Sequence, residues 1–228
     1  MIKNTLLDFE LNSKEDIINA VNRLGFLPYF KNKISGFSIE EHIAPQLWFG
    51  EDEGVWEWKG SIITELHCAY GKFFNKKAAF VSLDWFLELA NYRRDGYDFD
   101  AGFDDGKLKY SDKILYEKFE NNAPALSKTL KRLGGYDKEN KSCFDSGMAS
   151  LQTKCYALIS DFVYMTDKHG LPYGWGVAEY STPEAFFGSD FTDRVYNKTP
   201  EKSYDRIFKH LKWLFPDTED SVIKKFIG

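Results

Sequence analysis

Apolar residues recur at helical spacing from Ile17 through Val21 to Leu24. Ser13 stands where an N-cap belongs, and Gly25 stops the run. "SIEE", Ser38 to Glu41, has the form of a capping box and predicts a short second helix ending before Pro45. "VWEWKGSIITE" alternates aromatic and polar residues at Trp56, Glu57, Trp58 and Lys59, which predicts a half-buried strand. "AYGKFFNKKAAFVS" follows, then a helix near Asp84 to Ala90, then "NYRRDGYDFDAGFDDG", Asn91 to Gly106, as a long loop.

The second half alternates its signals more regularly. Ile114, Leu115 and Phe119 mark one helix, and Leu126, Leu130 and Leu133 another that stops at Gly134-Gly135. Ser142 is placed to cap a third, with Phe144, Met148 and Leu151 on its apolar side. "CYALISDFVYM" and "YGWGVAEY" predict a hairpin joined through "TDKHGLP". Thr182-Pro183-Glu184 and Thr199-Pro200-Glu201 are paired helix starts, with proline at the first helical position and an acid in the first turn. Ile207, Phe208, Leu211 and Leu214 give the last long stripe, and a short helix near Val222 to Ile227 closes the chain.

Three helices followed by a hairpin is the order of a winged helix, with Asp167 to Gly170 at the wing tip. The first half permits the same reading. The expected fold is therefore α+β, built from two winged-helix-like lobes packed as one unit. One lobe spans residues 1–109, and the other spans 110–228 with the C-terminal helices.

Composition narrows the function classes. The net charge of −5 argues against a generally basic nucleic-acid binder but leaves local cationic patches open. The aromatic fraction of 17% suits a large core and an aromatic-lined groove. Cys68, Cys143 and Cys155 form no CxxC and cannot all pair, which points to a reduced compartment. The first residues turn acidic at once, unlike a secretory leader, and no apolar run reaches membrane-spanning length. A soluble, cytoplasmic location is expected.

Candidate chemistry concentrates in a few stretches. Arg93 and Arg94 offer planar forks suited to phosphate, or to stapling the loop through Asp95, Asp98 or Asp100. The loop aspartates lack calcium-loop spacing, and the four histidines lack metal spacing, so no metal site is expected. Lys72, Lys76 and Lys77 interleave with Tyr70, Phe73 and Phe74, as a strand-binding surface would. An equally physical reading is a solvated hairpin with its rings in the core. Trp56 and Trp58 on one strand face, with Tyr70 and Tyr97, would frame an aromatic groove. Glu57 between the indoles, Asp98 and Asp100 are the acid–base candidates. Lys128, Lys131 and Arg132 lie off the leucine stripe, with Lys138 and Lys141 in the following turn, where winged helices touch phosphates. The third helix carries Asp145 with Ser150, Gln152 and Lys154, a thin set for base readout. No P-loop, GxSxG or Rossmann fingerprint occurs, and no cofactor is implied.

"VWEWKGSII", "YGKFFNKKAAFVS", "NYRRDGYDFD", "LQTKCYALISDF" and "YGWGVAEYSTPE", in this order, resemble the AlkZ-related proteins over nearly the whole chain. That bacterial family is distantly related to the AlkZ winged-helix DNA glycosylases, which excise alkylated or crosslinked bases. The enzymes carry two glutamines one residue apart to position the attacking water, whereas this chain has Gln46 and Gln152, far apart. A histidine-bearing segment of the enzymes would fall near Trp56 to Lys59, which holds no histidine. The resemblance thus implies a DNA-repair-like fold and a structure-selective DNA partner without the glycosylase glutamine pair. Two alternatives stand beside it. One is a diverged base-excision enzyme using Glu57 or a loop aspartate, with Arg94 on a phosphate. The other is a winged-helix module for protein partners.

Overall fold

The computed structural model describes residues 10–49, 54–137 and 139–228. The first nine residues, on which the leader argument rests, lie outside them, as does Lys138; the Lys141 side chain is likewise outside what is described.

Helix α1 (Lys14–Leu24) starts at Ser13, whose hydroxyl accepts the Asp16 N–H at 3.2 Å. It buries Ile17, Ala20, Val21 and Leu24, the predicted stripe. Gly25 ends it at φ 78°, where a Cβ would lie 2.1 Å from the Trp85 ring, so only glycine satisfies both backbone and packing. β1 (Phe26–Pro28), α2 (Ile39–His42), α3 (Val55–Leu66), β2 (Ala69–Phe74) and β3 (Lys77–Val81) complete the first half. Its three strands form an antiparallel sheet of order β1-β3-β2, with Leu27 and Tyr70 both opposite Phe80.

The second half repeats that connectivity. α6 (Tyr110–Glu120), β4 (Ala125–Leu126), α7 (Ser127–Leu133), α8 (Lys141–Thr153), β5 (Leu158–Thr166) and β6 (Pro172–Ser181) follow each other, and the sheet order is β4-β6-β5. In both halves the short first strand pairs with the last strand of the hairpin. Between them run α4 (Leu83–Arg94) and α5 (Phe99–Asp104); after them come α9 (Pro183–Phe187), α10 (Phe191–Val195), α11 (Pro200–Leu214) and α12 (Asp220–Ile227).

Four sequence expectations change. "VWEWKGSIITE" is helix α3, not a strand: Val55, Lys59, Ile62 and Ile63 are buried at helical spacing, and this longer period outweighs four residues of alternation. The Asn91–Gly106 stretch is not one long loop. Asn91 to Arg94 form the last turn of α4, Asp95 and Gly96 take left-handed backbone, and Asp98 caps α5 by accepting the Ala101 N–H at 2.8 Å. Leu126 ends a strand, and Leu133 is exposed, so Leu130 alone of that stripe is fully buried. α8 starts at Lys141 with Asn140 as its cap residue, which puts Ser142 inside the first turn.

Two clusters of buried side chains hold the fold. The larger joins α1, the first sheet and α4 to the C-terminal helices through Phe26, Phe86, Ile207, Leu211 and Phe226. The smaller gathers Phe99, Leu115, Phe119, Phe144 and Leu151 around α6 and α8. No helix among the described residues is long and apolar enough to cross a membrane.

Candidate nucleic-acid interface

Helix α8 places Phe144, Met148 and Leu151 inward, which leaves Ser142, Cys143, Asp145 and Ser146 exposed on its outer side. α6 crosses it closely, since a Cβ on Gly147 would lie 2.9 Å from Leu115 Cδ2. The space outside that crossing is a groove of about 720 Å³, lined by Lys109, Asp112, Ser146, Ser150 and Lys154 and closed by Lys76 from the other half's hairpin. Asp112 is 2% exposed and accepts from Lys154 Nζ at 2.7 Å and Ser150 Oγ at 3.2 Å, so its charge is answered within the protein. Lys76 and Lys109 are exposed and make no ion pair among the described residues. The groove therefore carries a positive surplus beside small hydroxyl side chains, a setting that accepts an anionic backbone at close range.

The hairpin that delivers Lys76 is locked to α8. Gln152, 1% exposed, accepts the Lys72 N–H at 3.0 Å and donates to the Met148 carbonyl at 2.9 Å; Thr153 Oγ1 donates to the Lys72 carbonyl at 3.1 Å. A Cβ on Gly71 would sit 2.9 Å from Phe73 Cζ and 3.0 Å from Gln152 Oε1, so β2 can approach α8 this closely only without a side chain there. Gln46, the other glutamine, is exposed on a 3₁₀ turn at Pro45–Leu47.

Arg94 sits elsewhere, in a corner between α4, α5, α6 and α9. It is 4% exposed. Its guanidinium meets Glu184 at 2.6 Å, donates twice to the Cys155 carbonyl at 2.8 and 3.2 Å, and lies 4.7 Å over the Tyr156 ring. Burial alone would lower its pKa, but Glu184 and Tyr196 hold it well above the ordinary value. Arg93 donates to the Ile227 carbonyl. Neither arginine pairs with Asp95, Asp98 or Asp100, so the expected self-stapled loop is replaced by longer-range ties; Asp95 bonds Lys107 instead, at 2.6 Å. Arg94, Asp98, Asp100, Glu120, Tyr156 and Glu184 surround a small pocket of about 230 Å³. Burial, then Asp100 and Glu184, raise the Glu120 carboxyl above its usual range, while Tyr116 works the other way.

The remaining candidates separate. Glu57 accepts the Gly54 N–H at 3.1 Å and so serves the start of α3. On a helix, Trp56 and Trp58 point to different sides and cannot share a face. Tyr70 is buried between Tyr29 and Phe80, and Tyr97 belongs to the Arg94 corner through its carbonyl, so the four rings frame no common groove. Lys72 and Lys77 are exposed on the first hairpin, whereas Tyr70, Phe73 and Phe74 are core. Lys128 reaches Met165 Sδ at 3.0 Å, Lys131 meets Asp145 at 3.4 Å, and Arg132 is exposed. Among the described residues no group of three or more histidine, cysteine or acidic side chains is set to hold a metal.

Sequence reasoning missed Lys109, Glu120 and Lys59. Lys109 precedes α6 and Glu120 ends it, neither within any motif. Lys59 is 4% exposed, with its ammonium 3.8 Å from the Trp56 ring and 4.3 Å from Phe162 of β5. Burial pushes it down to about 8 although Glu57 pulls upward. Its contacts join α3 to the second half, a pairing that no local pattern announces.

A family model described as AlkZ related matches residues 11–228 of this chain. No curated protein and no solved structure matches it.

Proposed function

The chain belongs to the AlkZ-related family, and from that premise we propose that it is a winged-helix DNA-binding protein that selects DNA by its structure. The groove between α6 and α8, closed by Lys76 of the opposite hairpin, carries the reading. In this view α7 and α8 are the helix-turn-helix, β5 and β6 the wing, and 1–109 and 110–228 the two lobes. Among the described side chains, α8 and the Lys154 that follows it offer hydroxyls and one paired lysine rather than arginine or a free glutamine, which favours backbone and shape over base identity. Gln152 is held at both ends of its amide, and Gln46 lies on a separate turn, which supports a role without the glycosylase glutamine pair.

Fluorescence anisotropy against duplex, single-stranded and abasic-site DNA, across a salt series, tests this. Log affinity should fall linearly with log salt, and Lys76→Glu and Lys109→Glu should each weaken binding and flatten the slope by about one. Absence of binding at low salt would overturn it.

A second reading rests on the Arg94 corner. A carboxyl whose proton affinity is raised by burial and by neighbouring Asp100 and Glu184, at the edge of a small pocket, is the kind of group a general acid uses, which makes Glu120 the acid of a diverged base-excision activity. Release of an alkylated base from a defined duplex, lost in Glu120→Gln, would support it.

A further inference from the structure

On the far side of the β2–β3 tip from the α8 groove lies a second cavity, of about 350 Å³. Its wall is aromatic. Phe74 and Phe226 stack at 4.4 Å and 15° and are nearly buried beneath it, so half-buried Phe30, itself stacked on Trp48, is the ring open to the cavity. Its rim is cationic: Lys31, Lys33 and Lys77. Lys77 Nζ donates to the Lys31 carbonyl at 3.2 Å, and none of the three makes an ion pair among the described residues. Glu40 is engaged with the Lys31 backbone N–H at 2.7 Å. An apolar floor with the Phe30 ring open to it, under three lysines, matches a flat ring joined to an anion, the chemistry of a nucleotide unit.

The tip joins this cavity to the groove. Asn75 and Lys77 line the cavity, and Lys76 between them lines the groove. Asn75 and Lys76 both take left-handed backbone, at φ 50° and 59°. Such two-residue turns favour asparagine followed by glycine, so a lysine in the second place is held against local preference. A glycine there would relieve the backbone but deliver no charge to the groove.

We propose that the cavity takes an unpaired base from a strand whose backbone crosses the β2–β3 tip out of the α8 groove. The preferred substrate is then a duplex with an adjoining single-stranded segment. This deepens the DNA-binding reading and rests on it.

Anisotropy would compare a blunt duplex, the same duplex with a tail of about four nucleotides, and that tail built from abasic residues, with deoxyadenosine monophosphate as competitor. The tailed duplex should bind about tenfold tighter than the blunt one, the effect of one stacked base. The abasic tail should lose that gain. Lys33→Glu and, separately, Lys31→Glu, both at exposed positions, should remove the gain and leave blunt-duplex affinity unchanged. A blunt duplex that binds with less than twofold gain from the tail overturns the inference and leaves the DNA reading standing. No binding to either duplex overturns both. A mononucleotide that competes as well as the tail at equal concentration also overturns it, by making the cavity a free-nucleotide site.

Discussion

The two halves share one connectivity and use it in opposite ways. In the first, α3 buries Val55, Lys59, Gly60, Ile62 and Ile63 and presses against β5, and the β2–β3 hairpin keeps nearly every residue of β2 inside. In the second, α8 leaves a face of small polar side chains open to the groove, and the longer β5–β6 hairpin projects Leu171, Tyr173 and Trp175 outward. A duplicated topology thus yields one half that acts as base and one that presents a surface. The first half reaches the second through its hairpin tip, where Lys76 completes the other half's groove.

Removing the tie at the corner should break this arrangement most strongly. Arg94→Ala leaves Glu184 and the Cys155 carbonyl without their shared partner, and should cost about 3 kcal/mol in chemical denaturation. A stability change near zero together with weakened DNA binding would instead make Arg94 a ligand residue. The next effect lies at the joint between the halves. Gly71→Ala forces a methyl against Phe73 and Gln152, so it should destabilise by about 1–3 kcal/mol and weaken DNA binding by displacing Lys76 from α8. If binding survives intact, the hairpin and α8 do not form one surface.

The smallest effect sharpens the contrast from the other side, because it touches only the support of the first half. His210 stacks on Trp85 at 3.9 Å and bonds the Leu24 carbonyl at 2.8 Å, and burial, helped by Arg206, lowers its pKa against the pull of that carbonyl. A depressed folded-state value means that its contribution is fully present above the ordinary value of about 6.5 and is lost as pH falls through the lowered one. Melting temperature should drop across that acid window in the native protein and drop less in His210→Gln. Equal slopes in both would place the titration elsewhere.

Local signals survive wherever a single element decides its own form. Ser13 and Gly25 bracket α1, Thr182 caps α9 with its hydroxyl on the Ala185 N–H at 3.2 Å, and the two runs around Asp167 to Gly170 pair as a hairpin. They fail where two periods compete. Trp56 to Lys59 alternate for only four residues, and the helical spacing from Val55 to Ile63 prevails because burial against β5 rewards that face. They also fail where an arginine has several acids to choose from. Asp95, Asp98 and Asp100 are near Arg94 in sequence, yet the turn at Asp95 and Gly96 carries them off while β6 and α9 bring Glu184 to it from ninety positions away.

The sequence by itself determined the α+β class and the order of helices and hairpin in the second half, and offered the lysine-bearing hairpin of the first as one of two readings. Tertiary structure decided which lysines meet. Lys76, Lys109 and Lys154 come from three distant segments, and a chain reveals periodicity along itself but not the partners that burial of its apolar faces will bring alongside.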